Sequence, residues 1–211
     1  MTAETLSQTA YRRIKQDILE GRIAPDSMLS ERELALRLGI SRTPLRSALS
    51  RLENENVIGR FANGALIVRS VTVEQLLEIV QLRQVLERAA AARAAERGMT
   101  DDLRRVWDEM LPYAEGRSVG FDEFWQVDEG FHAGVARAAG LELLPAILAE
   151  QRAVARRCTI TRVHDRFDEQ AREHIAVLEA IARGDAPAAR DAMSLHFENV
   201  RNRFLGWFSK G

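Results

Sequence analysis

The spacing of apolar residues changes twice along the chain, and each change marks a different kind of element. Leu6, Ala10, Ile14 and Ile18 recur at four-residue steps with Gly21 as a stop, which predicts a helix over 6–20. A two-turn helix follows in SERELALRLG, where Ser30 and Glu33 fit a reciprocal capping box and Gly39 closes the element. Ser41 can cap a third helix, with Pro44 in its first turn, Leu45, Leu49 and Leu52 as its core stripe and Asn56 as a left-handed stop. The period then shortens in VIGRFANGALIV, two β-prone runs joined at Asn63-Gly64, the dipeptide favoured in tight hairpins. From Thr72 onward the pattern is helical throughout, over roughly 73–97, 101–115, 121–139, 142–162, 167–183 and 187–207. Gly98, Gly140 and Gly184 fall at breaks, Pro145 and Pro187 suit first turns, and Pro112 is placed to kink or end its helix. The expected architecture is mainly α. A winged helix-turn-helix with a small β-hairpin wing occupies 1–70, and an all-helical bundle occupies 71–211, with the junction at 69–72.

Polar residues interrupt the apolar stripes of the second region in a selective way. Steps of about 100° per residue put Asp128 and His132 on one face with Phe121, Trp125 and Val135. By the same geometry His174 joins Phe167, Leu178 and Ile181, and His196 joins Met193, Val200 and Trp207. His164, in the polar stretch TRVHDRFD, reads as an exposed loop residue. One histidine on such a face is ordinarily a hydrogen-bonded core residue. Three with an aspartate are better matched to a divalent cation, which neutralises the buried carboxylate and uses the imidazole lone pairs. Zinc is the common metal for these ligands; nickel, manganese and iron also fit, and the set leaves positions open for a ligand. Arg83 shares a face with Leu76, Ile79 and Val80, one turn before Glu87. It reads either as half of an i, i+4 ion pair at a rim or as the binding group for a carboxylate.

In the first region Arg42 and Arg46 lie one turn apart, away from the leucine stripe, with Thr43 beside them. Taken alone they would be a solvated face. In the order helix, short helix, helix, hairpin they occupy the element that enters a major groove, where arginine grips guanine or neutralises phosphate. Arg32 can reach the DNA backbone or a neighbouring base, and the tip at Gly64 can approach a minor groove. Charge agrees in sign. Residues 1–70 hold 11 Lys+Arg against 8 Asp+Glu, while the whole chain of 211 residues has a net charge of −1. With 46% hydrophobic residues the chain should fold, and the single cysteine, Cys158, excludes an internal disulfide and looks like packing. No apolar run resembles a signal peptide or a membrane span, so the cytoplasm is expected.

LSERELALRLGISRTPLRSALSRLENENVI, with SRTPLR at its centre, resembles the DNA-binding domain of GntR-type bacterial transcription regulators over about residues 7–69. The resemblance implies DNA-contact roles for Arg32, Arg42, Thr43, Arg46 and the wing near Gly64. Two turns depart from the usual pattern: Asp26-Ser27 where Pro-Gly is common, and Asn56 where Gly is common. DEGFH and EHIAVLEAIARGDAPAARDAMSLH resemble the all-helical effector-binding domain, called FCD, of the FadR-type branch, over about 73–207. In metal-binding members the matching positions ligate an ion, which implies Asp128, His132, His174 and His196 as ligands, and the LRxxLE segment holding Arg83 lines the effector cavity. Leu141 stands where Asn is usual, which predicts a weakened local cap. The expected function is a ligand-responsive regulator, most often a repressor in this family, binding operator DNA as a homodimer under control of a small carboxylate. A metal-dependent hydrolase and a regulator with a purely structural metal are the alternatives.

Overall fold

A computed structural model describes residues 4–158 and 166–208, so His164 lies outside the described residues. The chain divides into two compact units, Met1–Val71 and Thr72–Gly211.

The first unit contains α1 (Leu6–Leu19), β1 (Met28–Leu29), α2 (Glu31–Leu38), α3 (Arg42–Asn54), β2 (Ile58–Arg60) and β3 (Leu66–Val68). Ile14, Ile18, Leu34, Leu45, Leu49, Leu52, Ile58 and Leu66 close one apolar core. Leu6 extends the sequence stripe of α1 but not its buried face, being 62% exposed. Ser30 accepts a hydrogen bond from the Glu33 N–H, yet no bond returns from the Glu33 side chain, so only half of the expected box forms. Ser41 caps α3 by position, without a side-chain bond. Gly39 ends α2 in the left-handed region at φ 65°.

The wing differs from the two-stranded expectation. The sheet has three antiparallel strands in the order β1-β3-β2, with Ile58 opposite Val68, Arg60 opposite Leu66, and Met28 opposite Ile67. Its turn is also longer than a two-residue hairpin. The Phe61 N–H bonds to the Ala65 carbonyl, and the Gly64 N–H bonds back to Phe61. Gly64 takes φ +86°, so Ala62, Asn63 and Gly64 form a three-residue loop that ends in a left-handed residue. Two non-glycine residues share that backbone region, Asp26 at φ 61° and Asn56 at φ 54°, both at the turns that depart from the family pattern.

The second unit contains six helices among the described residues: α4 (Val73–Arg97), α5 (Asp101–Ala114), α6 (Phe121–Ala138), α7 (Leu144–Arg156), α8 (Phe167–Ala182) and α9 (Ala186–Phe208). Helix α4 packs on α9 and α6, α8 on α9 and α5, and α6 on α7. Ala90, Ala91, Ala94 and Ala95 of α4 are all buried, and their small side chains allow close helix approach. Pro112 stays inside α5, which ends two residues later. At the end of α6, Arg93 and Arg97 donate to the carbonyls of Ala139 and Ala138 at 2.7 and 3.1 Å, supplying partners that a terminating helix lacks. Gly140 suits the position because its backbone is left-handed at φ +67°, which strains any residue with a Cβ. Leu141 does not weaken this terminus as expected. Its N–H bonds to the Ala136 carbonyl and its side chain packs on the core, the apolar contact that commonly accompanies such a stop.

Candidate metal centre and nucleic-acid face

Three helices of the second unit place the polar intruders together. Asp128 and His132 come from α6, His174 from α8 and His196 from α9, and all four are buried to 3% exposure or less. The apolar neighbours follow the predicted stripes except Trp207, which is 45% exposed. The Nε2 atoms of His174 and His196 are 3.4 Å apart, and Asp128 Oδ1 lies 3.5 Å from His174 Nε2 and 3.6 Å from His132 Nε2. One ligand atom from each of the three histidines lies within 4.8 Å of the others. Bonds of about 2.1 Å to one ion separate tetrahedral ligand atoms by roughly 3.4 Å, so these spacings fit a single divalent cation.

The charge states suit that fit. Burial pushes His174 well below the usual imidazole range, and the neighbouring His196 adds to the effect. Burial also lowers His196, against the opposing pull of Glu173. These imidazoles are therefore neutral near pH 7, with lone pairs to donate. Burial alone would raise Asp128, but the Arg152 guanidinium outweighs it and holds the carboxyl well below its usual range. Arg152 donates to Asp128 Oδ2 at 2.5 Å and Gln170 donates to Oδ1 at 2.8 Å.

Around the four ligands stands a shell that the sequence stripes did not reveal. Glu87 on α4 is hydrogen-bonded to His132 Nδ1 and accepts from Arg83 Nε at 2.7 Å. Glu173 on α8 lies 2.8 Å from His196 Nδ1 and accepts from Arg203 at 2.6 and 3.0 Å and from Asn199 at 2.9 Å. Burial opposes ionisation of both glutamates. Arg83 and His132 nonetheless bring Glu87 to about 2, and His196 and Arg203 bring Glu173 to about 2. The Arg83–Glu87 pair is not at a rim, as the bland sequence reading has it: the side chains are 9% and 1% exposed. His174 is the exception, since its Nδ1 is buried without a partner and its ring stacks on Phe131 at 4.0 Å.

Beside the ligands lies a cavity of about 60 Å³. Its polar lining includes Arg83, Arg152, Arg203, Asp128, His132 and His196, and its walls include Phe124, Trp125, Phe197 and Phe204. Arg83 Nη2 and Arg152 Nε are buried donors without protein partners. Buried N–H groups of this kind are costly unless a ligand or water satisfies them.

In the first unit Arg32, Arg42, Thr43 and Arg46 are exposed, Arg32 on α2 and the others on the first two turns of α3. Arg42 and Arg46 face away from buried Leu45 and Leu49. Gly64 is exposed at the wing turn, with nothing within 4 Å of where a Cβ would stand. A network missed in the sequence ties these elements: Glu31 accepts from Arg46 Nε at 3.0 Å and lies 3.7 Å from Arg60, which pairs with Glu53 at 2.8 Å and reaches the Gly64 carbonyl at 3.2 Å.

A three-helix core with a β-wing is the plan of a winged helix-turn-helix DNA-binding module, followed here by an all-helical unit that holds a cavity. Residues 6–68 match the bacterial regulatory proteins of the gntR family, residues 78–199 match the FCD domain, and the chain belongs to the GntR family with an FCD domain. It is similar to the HTH-type transcriptional repressor RspR of Escherichia coli K12, 26% identical over 100% of both chains. An HTH-type transcriptional regulator from an unstable DNA locus of Streptomyces ambofaciens is 28% identical over 90% of this chain and 81% of its own. Among solved structures, E. coli McbR/YncC shares the fold with a TM-score of 0.73 at 20% identity, covering 98% of this chain and 100% of that one. A GntR regulator from Rhodococcus sp. RHA1 gives 0.74 at 20% identity over 95% and 97%. The protein is thus a GntR-family transcription regulator, and among the described residues no helix is long and apolar enough to cross a membrane.

Proposed function

We propose that this regulator is a cytoplasmic repressor that binds a near-palindromic operator as a homodimer and is controlled by a small organic acid held next to a metal ion. The observation that carries the reading is the cavity itself: His132, His196 and Asp128 in its lining, His174 converging on the other two rings behind it, and buried guanidinium donors without partners beside them. Asp128, His132, His174 and His196 hold the ion. Zinc is the usual occupant of a carboxylate-and-imidazole set, and once bound it supplies a Lewis acid with positions left for an acid's oxygen. Arg83 binds the acid's carboxylate, and Arg152 and Arg203 make the cavity cationic. The aromatic walls exclude water and strengthen that attraction.

In the first unit Arg42, Thr43 and Arg46 read base edges, Arg32 contacts the backbone and Gly64 lets the wing approach the minor groove. Two-fold symmetry of the operator follows from two copies placing equivalent helices one helical turn apart. For control, the acid must favour one state of the dimer over the other, because equal affinity for both shifts nothing. The test is titration of carboxylic acids, chosen by thermal shift on the zinc-loaded protein, into the protein–operator complex. The expected result is a tight-binding acid that releases the protein from DNA. If no acid that stabilises the protein changes operator affinity, the switch is wrong. If chelation unfolds the second unit and no acid stabilises it, the metal is structural only.

A further inference from the structure

Each of the two glutamates in the shell faces a different imidazole, and the pattern is the same in both places. Glu87 meets His132 at Nδ1, Glu173 meets His196 at Nδ1, and each carboxylate is anchored from its other side by an arginine that lines the cavity, Arg83 or Arg203. A carboxylate can only accept, so the nitrogen facing it must carry the proton. The proton then sits on Nδ1, and Nε2 is left as a lone pair aimed at Asp128 and the other rings.

His174 has no such partner. Its Nδ1 is buried and unpaired, and its Nε2 lies 3.4 Å from His196 Nε2 and 3.5 Å from Asp128 Oδ1, both acceptors. In the metal-free protein the proton of His174 therefore belongs on Nε2, where an acceptor exists.

We infer that Glu87 and Glu173 are positioning residues that fix His132 and His196 as Nδ1–H tautomers with Nε2 presented to the ion, while His174, with no carboxylate at Nδ1, takes the opposite tautomer until metal arrives. This rests on the metal reading above, but its tautomer half does not need the ion. The arginines that orient the glutamates line the cavity proposed to hold the effector, so an anion on Arg83 or Arg203 sits three hydrogen bonds from a ligating ring.

The test has two arms on the full chain. In metal-free protein at pH 8, long-range proton–nitrogen NMR should show His132 and His196 protonated at Nδ1 and His174 protonated at Nε2. Zinc affinity, measured by competition with a chromophoric chelator, should fall about 10- to 100-fold in Glu173→Gln and in Glu87→Gln. Circular dichroism checks that both variants fold; Glu173 borders the surface more closely than Glu87, and its variant decides the matter if Glu87→Gln does not fold. An Nε2–H tautomer at His132 or His196, or wild-type zinc affinity in the folded glutamine variants, overturns the inference. The metal reading fails separately, if wild-type protein binds no zinc or if His174→Ala leaves zinc affinity unchanged.

Discussion

Arginine serves both halves of this chain, in opposite surroundings. The Arg46 side chain on α3 is 65% exposed, whereas the Arg83 side chain on α4 is 9% exposed. The exposed group is strongly hydrated and loosely held by one carboxylate, so exchanging that carboxylate for a phosphate or a base edge costs little. The buried group cannot lose its carboxylate without leaving an uncompensated charge in the core. In the first unit function is laid on top of the fold, and in the second it is built into it.

The largest test of that contrast removes a buried anion. Glu87→Ala strands Arg83 and frees the His132 ring, and should destabilise the second unit by about 3–5 kcal/mol, read from urea unfolding. All three tryptophans, Trp107, Trp125 and Trp207, lie in that unit, so their fluorescence reports its unfolding and not that of the first. A loss below about 1 kcal/mol, the scale of an exposed ion pair, would show that the site is not part of the fold in this sense.

Metal removal is next in size. Zinc at a hundred times its dissociation constant should stabilise the folded second unit by about 2.7 kcal/mol and raise its midpoint by roughly 8 °C relative to chelated protein. An unchanged tryptophan transition after chelation would separate the four ligands from stability altogether.

How far the sequence reached follows the same division. Helix spans were legible because four-residue apolar steps and left-handed glycines are local signals, and Asp128, His132, His174 and His196 stood out because each broke an apolar stripe. The strand β1 escaped because two residues carry no period, and it is defined only by pairing with β3 far along the chain. The histidine contacts of Glu87 and Glu173 escaped for a related reason. Their histidine partners are 45 and 23 residues away, and no stripe on their own helices shows that a carboxylate there meets a ring on another. Glu173 is next to His174 in sequence yet serves His196, since neighbouring residues on a helix point about 100° apart. The same blindness hid Arg152, which contributes the nearest cation to Asp128 from α7.

On the exposed side, Arg42→Ala should leave unfolding free energy within about 0.5 kcal/mol while costing about 1–3 kcal/mol of discrimination between operator and random DNA. Gel-shift titrations at matched salt measure the second quantity. Preserved discrimination with a uniformly weaker affinity would reassign Arg42 from base reading to phosphate contact.

The smallest expected effect probes the one place where the exposed half imitates the buried one. Glu31 holds Arg46 at 3.0 Å, a carboxylate–arginine pair like that of Glu87 and Arg83, but open to water. DNA has to displace Glu31 before Arg46 is free, and an exposed pair is worth only about 0.2–1 kcal/mol. Glu31→Gln should therefore leave stability within about 0.5 kcal/mol and tighten binding to operator and random DNA alike, by less than about fivefold. Weaker operator binding with unchanged binding to random DNA would mean that Glu31 aims Arg46 at a base. The first unit would then share the logic of the second, with a carboxylate orienting the group that meets the ligand.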